Sequence, residues 1–155
     1  MVASDASSTP LIVGWREWLA LPDIGIEAIC AKVDTGAKSS ALHVDAMETF
    51  QRDGAEWVRF TLHPGRLGSD GTVDAQARVV DRRRVTDSGG HDSERLFIAT
   101  DLVVGSLRYR IELNLTSRRN MRFPMLLGRT AMRGRLRVDP DASFRLGQRN
   151  GLHVD

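Results

Sequence analysis

The chain has 155 residues and a single cysteine, Cys30, so it cannot close an intrachain disulfide or offer zinc a set of four thiolates. It contains no apolar run near the roughly 18 residues that would signal a membrane-spanning helix, and no membrane partner is expected. Aromatic residues make up only 6% of the sequence. Beyond residue 115 they are limited to Phe123 and Phe144, too sparse a set for stacking on bases, so no nucleic-acid partner is expected. A His-Glu-x-x-His helix is missing, and His43, His63, His91 and His153 follow no metal-ligand spacing. The phosphate-cradling Gly-x-x-x-x-Gly-Lys-Ser/Thr loop is missing as well. No cofactor and no metal are therefore expected. The first ten residues lack both a basic start and an apolar core, so residues 1–9 read as a disordered tail rather than a secretion signal, and the expected address is cytoplasmic.

An apolar fraction of 41% and a charged fraction of 27% fit a globular protein, here one domain over residues 10–150. Lysine is nearly absent: only Lys32 and Lys38 occur. Charge is also uneven along the chain. Residues 1–115 hold 13 basic and 17 acidic side chains, whereas residues 116–155 hold 9 and 3, the nine all arginines. Arginine's planar fork matches carboxylates and phosphates. The basic C-terminal third is thus either a solvated face or a surface that selects acidic partners.

Strand patterns dominate. Leu11–Trp15, Ile26–Val33, His43–Phe50, Glu56–Leu62, Leu96–Val104 and Leu107–Leu115 read as strands, and Thr72–Val85 reads as one long strand. Asp53-Gly54 and Gly105-Ser106 predict tight hairpins, and Asp139-Pro140-Asp141 predicts a third, between 135–138 and 143–146. Residues 63–71 and 86–93 read as glycine-containing loops. The best helical candidate is one short segment, Arg129–Arg133. This is an all-β pattern, a closed barrel or a sandwich.

The stretch most suggestive of chemistry is Ala31-Lys32-Val33-Asp34-Thr35-Gly36-Ala37-Lys38, an apolar strand running into Asp-Thr-Gly. A carboxylate on a glycine-containing turn is what an aspartic peptidase needs, but that chemistry takes two such carboxylates. They lie so close that they share one proton and titrate as a pair. The chain has one copy of the motif, so the second Asp34 must come from a second subunit. Gly36 allows the backbone amide to approach the aspartate. Further along the chain comes a second apolar-apolar-glycine element, Met125-Leu126-Leu127-Gly128-Arg129.

Asp-Thr-Gly-Ala at a strand end, a later Leu-Leu-Gly-Arg element and one active-site motif per chain resemble a retropepsin, the dimeric relative of pepsin. Residues 10–147 resemble more closely a bacterial family known as ATP-dependent zinc proteases and associated with RimK-type glutamate ligases. The matching stretches are Val13-Gly-Trp-Arg-Glu-Trp18, Ala31–Ala37, Ser40-Ala-Leu-His43, Asp81-Arg-Arg83, Asp87-Ser-Gly-Gly90 and Met121–Ala131. The resemblance implies a retropepsin-like fold with one short helix after Leu-Leu-Gly-Arg, a homodimer, and catalysis by Asp34 organised by Thr35 and Gly36. In retropepsins the motif's threonine ties the two active-site loops together, and Thr35 inherits that expectation. It also implies a flap over the site; by order along the chain, residues 86–93 with His91 occupy that place.

One departure bears on specificity. Two residues after the motif glycine, viral retropepsins usually carry an aspartate that pairs with the arginine equivalent to Arg129, whereas this chain has Lys38. Arg129 must then meet another carboxylate or stay available to an acidic substrate. Ala37, Lys38, His91, Arg118, Arg119, Arg122 and Arg129 are accordingly the candidate substrate contacts. The ligase-linked family implies removal of oligoglutamate from a protein C-terminus, with a small-subunit ribosomal protein as the type of target. Two other readings stay open: a non-catalytic module that binds acidic or glutamylated tails, and a zinc metallopeptidase as the family name has it.

Overall fold

The protein is described by a computed structural model, covering residues 9–65, 71–87, 89–117 and 122–147. The proposed tail through residue 8, together with Arg118 and Arg119, lies outside the described residues. Twelve strands make up the fold: β1 Leu11–Val13, β2 Arg16–Leu21, β3 Ile26–Val33, β4 Ser40–His43, β5 Ala46–Arg52, β6 Ala55–Leu62, β7 Val73–Arg78, β8 Asp81–Thr86, β9 Asp92–Val104, β10 Leu107–Thr116, β11 Met125–Leu127 and β12 Leu136–Val138. Single 3₁₀ turns occupy Pro22–Ile24 and Arg129–Ala131. The all-β expectation holds.

Seven strands form the main sheet in the order β10-β4-β11-β3-β2-β9-β8, and β10 also pairs with β9. A separate three-stranded meander, β5-β6-β7, packs its inner residues Val58, Phe60, Leu62, Ala75 and Ala77 into the same core as Leu19, Ile29, Leu42, Ile98, Leu113 and Leu127. Both hairpins signalled by Asp53-Gly54 and Gly105-Ser106 form. Asp53 and Gly54 both take positive φ, 52° and 76°, the mirror-image turn that matches the twist of the flanking strands.

Two sequence expectations need correction, and a third holds. Thr72–Val85 is two strands, because the chain changes sheets at Val79-Val80. The Val79 amide donates to Glu56 on the meander, and the next amide donates to Phe97 on the main sheet. Alternation alone cannot reveal that switch. Residues 86–93 hold the expected glycine-containing turn, between Thr86 at the end of β8 and Asp92 at the start of β9, whose ladder runs from Asp81↔Phe97 to Thr86↔Asp92. The third hairpin does not form. Residues 136–138 instead pair in parallel with β1, and the chain after Asp139 folds back over β2 without making a strand.

That returning segment explains the Val13-Gly-Trp-Arg-Glu-Trp18 stretch. A Cβ on Gly14 would stand 2.4 Å from the Ala142 carbonyl oxygen, so only glycine fits there. Glu17 is fully buried and accepts backbone hydrogen bonds from Gly14 (2.6 Å), Arg145 (2.9 Å) and Leu146 (3.1 Å). The Arg16 guanidinium lies over the rings of Trp15 and Phe144, and Trp18 stacks on Phe144. One short motif thus holds the C-terminal segment by packing, charge and hydrogen bonds together.

Candidate active site

Asp34 follows directly on β3. Its backbone amide donates to the Leu127 carbonyl at 2.9 Å, which continues the parallel ladder between β3 and β11 by one bond. β11 lies between β3 and β4, parallel to the first and antiparallel to the second, so the two apolar-glycine elements end side by side. Asp34 is half-buried, and its Oδ1 accepts the Gly36 amide at 2.9 Å. The Ala37 amide donates to the Asp34 carbonyl at 3.2 Å, which closes the loop as a tight turn. The turn fixes the carboxylate by backbone bonds rather than by side-chain packing.

The second element clasps this loop. The Arg129 amide donates to Ala37 O (2.8 Å), that of Thr130 to Lys38 O (3.1 Å), and Arg129 Nη1 to Thr35 O (2.9 Å). Gly128 is obligatory at the contact, since a Cβ there would come within 2.5 Å of the Ser39 carbonyl group. Beneath it the Gly128 amide donates to Ser40 Oγ at 3.0 Å, and Asn114 Nδ2 donates to Ser40 O at 2.9 Å. Tyr109 braces the 3₁₀ turn from below: its hydroxyl donates to Ala131 O at 2.6 Å. Burial of that phenol pushes its pKa up to about 12.

Asp34 opens on a cavity of about 580 Å³. The floor comes from Gly36–Ser39, and one wall comes from the β8–β9 hairpin through Arg83, Arg84, Val85, Asp87, Arg95 and Phe97. Five cations, Lys38, Arg83, Arg84, Arg95 and Arg129, line it against two carboxylates, Asp34 and Asp87. Arg83 lies over the Phe97 ring and is gripped by Asp81 and Glu112, both at 2.7 Å. Those bonds raise the Arg83 pKa and lower that of Asp81. Arg95 donates to Ser93 Oγ (3.1 Å) and Asn114 Oδ1 (3.1 Å). An unbroken polar chain therefore joins the hairpin to Gly128 of the second element through Asn114 and Ser40.

Of the residues expected from sequence, Asp34, Gly36, Ala37, Lys38 and Arg129 meet around one cavity. Thr35 stands beside it, exposed, with its carbonyl held and no side-chain hydrogen bond among the described residues. Among the described residues Arg129 meets no carboxylate in place of the one that Lys38 supplants; it takes the Thr35 carbonyl. Arg122 is exposed and outside the cavity lining. His91 sits on the hairpin turn, where the Gly89 and His91 amides both donate to Asp87 Oδ1 at 2.9 Å; its ring is largely exposed and is not part of the cavity lining, with Nδ1 3.4 Å from Asp87 Oδ1. Arg83, Arg84, Arg95 and Asn114 also line the cavity without being candidate contacts in the sequence: Arg83 lies in the Asp81-Arg-Arg83 stretch, and the other three have only their places on alternating strands as a signal.

Zinc finds no fit among the described residues. No group of three or more His, Cys, Asp or Glu side chains is placed to hold a metal. The nearest approach is Asp45, whose carboxylate meets His63 Nδ1 at 2.6 Å and His43 Nε2 at 3.5 Å, while His63 Nε2 is committed to Thr72. Among the described residues no helix is long and apolar enough to cross a membrane.

An all-β domain whose lone Asp-Thr-Gly loop is clasped by a Leu-Leu-Gly-Arg element is retropepsin-like. Residues 12–148 match the sequence model of the RimB-like family, described as "Retropepsin-like aspartic endopeptidase RimB", and the chain belongs to that family. It is 40% identical over 149 residues to a probable alpha-L-glutamate ligase of Shewanella halifaxensis, which covers 96% of this chain and 32% of the relative. A probable alpha-L-glutamate ligase of Desulfotalea psychrophila is 44% identical over 137 residues, covering 88% of this chain and 30% of the relative. The chain thus spans about a third of the length of these curated relatives. A crystal structure of a Legionella pneumophila protein of unknown function superposes with a TM-score of 0.75 at 27% identity, over 89% of this chain and 99% of that one.

Proposed function

We propose that this chain is a cytoplasmic aspartic endopeptidase, active as a homodimer, that hydrolyses peptide bonds in glutamate-rich protein tails. The observation that carries the reading is the placement of Asp34: a half-buried carboxylate on a loop fixed at Leu127, Gly36 and Arg129, facing a cavity rich in arginine. One carboxylate is half of the required pair, and the second is Asp34 of another copy. The exposed Thr35 hydroxyl, without a partner among the described residues, is available to bond across the two-fold axis.

In the assembled pair one Asp34 is ionised and the other protonated. The ionised carboxylate takes a proton from a water held between the two, and the water oxygen attacks the scissile carbonyl carbon. The protonated Asp34 gives its proton to the carbonyl oxygen, leaving a neutral tetrahedral diol. Collapse of the diol breaks the C–N bond. The proton gained from water passes to the departing nitrogen, and a diol hydroxyl returns its proton to the other carboxylate. The β8–β9 hairpin, whose arms already wall the cavity, serves as the flap. Lys38 and the cavity arginines select acidic side chains, and the name shared by the relatives, glutamate ligase, makes glutamate the acid of choice.

Incubating the protein with peptides that end in several glutamates, followed by mass spectrometry, tests the activity. Shortened products are expected, with Asp34→Asn slower by at least about a thousandfold. An Asp34→Asn protein of full activity would sink the proposal. Peptide bound in a salt-sensitive way but recovered intact from the wild-type protein would favour a binding module instead. Sedimentation at working concentration should give twice the monomer mass.

A further inference from the structure

We infer that the substrate groove does not end at Asp34: a basic track continues along the outer face of β9 and β10 and holds a run of side-chain carboxylates, so that cleavage depends on the length of the acidic tail. This rests on the peptidase reading above and extends it to a remote binding surface.

Alternate residues of a strand share one face. On β9 Arg95, Phe97 and Ala99 share the face turned to the cavity, where Arg95 and Ala99 are partly exposed and Phe97 is buried with the Arg83 guanidinium over its ring; Leu96, Ile98 and Thr100, on the opposite face, are buried too. Arg95 and Phe97 line the Asp34 cavity. Phe97 and Ala99, with Lys38, Arg83 and Glu112, line a second hollow of about 430 Å³. Ala99 and Arg110 then line a third, of about 610 Å³, together with Asp23 and Arg78. Each hollow therefore shares walls with the next. On β10, Asn114 faces Phe97, Glu112 faces Ala99 and Arg110 faces Asp101, so the paired strand follows the same course. From Arg95 to Ala99 is four residues, roughly 13 Å at about 3.3 Å each, the span of about four residues of an extended peptide.

The charges along this track suit an acidic chain. Lys38 at its start and Arg78 at its end are exposed and have no ion pair among the described residues. Arg110 meets Asp23 at 3.5 Å and Asp101 at 3.6 Å with its side chain 63% exposed. Loose exposed pairs of this kind contribute little, so Arg110 exchanges them readily for a substrate carboxylate. The acids on the track, Glu112 and Asp23, each already face an arginine. An oligoglutamate offers same-face carboxylates about every 7 Å when extended, in step with the alternation of the strands beneath it.

The test compares kcat/KM of the full chain on peptides ending in two, four and eight glutamates. Wild-type protein should favour eight over two by about tenfold, and that ratio should fall toward one in an Arg78→Gln/Arg110→Gln double variant. Arg133→Gln/Arg137→Gln, which removes the same charge outside the three hollows, should keep the ratio. A length-independent wild type, or a double variant with the wild-type ratio, would overturn the inference while leaving the peptidase reading intact. If none of the peptides is cleaved, the peptidase reading fails. Fluorescence anisotropy of labelled di- and octaglutamate with the same proteins then decides the track by itself, weaker octaglutamate binding in the Arg78/Arg110 variant supporting it and equal binding overturning it.

Discussion

Arg129 and Thr35, 94 residues apart, are joined by a 2.9 Å hydrogen bond from the guanidinium Nη1 to the backbone carbonyl oxygen. That bond, with the two backbone bonds from 129 and 130 to 37 and 38, clasps the Asp34 loop to the Leu-Leu-Gly-Arg element. In the proposed dimeric site small displacements in each copy would add, so this clasp would bear directly on the Asp34–Asp34 spacing.

Replacing the guanidinium should therefore harm turnover more than folding. Arg129→Met is expected to lower kcat by about 10- to 100-fold. The lost charge-assisted hydrogen bond should cost about 1.5–3 kcal/mol of stability. Steady-state kinetics beside urea unfolding of the same protein checks both numbers. Arg129→Lys should restore charge but little of the rate, because an ammonium cannot reproduce the planar fork.

The buried carboxylate of Glu17 gives a second expectation. Glu17→Gln keeps one oxygen but points an amide group at backbone donors, so at least one N–H among Gly14, Arg145 and Leu146 loses its acceptor. A loss of about 2–4 kcal/mol is expected, from an orphaned buried donor plus a weakened charged acceptor. Hydrogen exchange should quicken at Arg145 and Leu146 ahead of global unfolding.

Tyr109 sets a limit at high pH. Its phenol is raised to about 12 by burial, against an ordinary value near 10. The unfolded chain therefore releases this proton at lower pH than the folded one. The stability that Tyr109 confers is complete below about pH 10 and is lost as pH climbs to about 12. Spectrophotometric titration should show this sole tyrosine ionising late in the native protein and normally in denaturant. Tyr109→Phe should abolish the late transition.

The Asp53-Gly54 turn and the Gly105 hairpin were legible because two-residue turns with positive φ narrow the residue choice to a few types. The break at Val79-Val80 was not, since nothing local distinguishes a strand that stays in one sheet from one that changes partners. The C-terminal segment was misread for a related reason. Asp139-Pro140-Asp141 is a sound turn signal, but Glu17, Gly14 and Trp18, more than a hundred residues earlier, offer the returning chain a better set of partners than a hairpin would. Asp34, Gly36, Lys38 and Arg129 could be found because each belongs to a short contiguous pattern. Arg84 and Arg95 belong to no such pattern, and Arg83, although within Asp81-Arg-Arg83, is set against Asp34 only by a hairpin folded across the site.

The sequence by itself determined the kind of carboxylate loop this chain carries, its single occurrence, and the glycine-bearing element that accompanies it. These are local features: a turn demands certain residues at certain spacings, and Asp34-Thr35-Gly36 states its own geometry. Which cations face Asp34 was decided only by tertiary structure. Among the described arginines of the C-terminal third, Arg129 alone lines the cavity; the others that do, Arg83, Arg84 and Arg95, come from the more acidic stretch before residue 116. Net charge along a sequence sums over all directions, whereas a cleft sees only the side chains that strand pairing turns toward it.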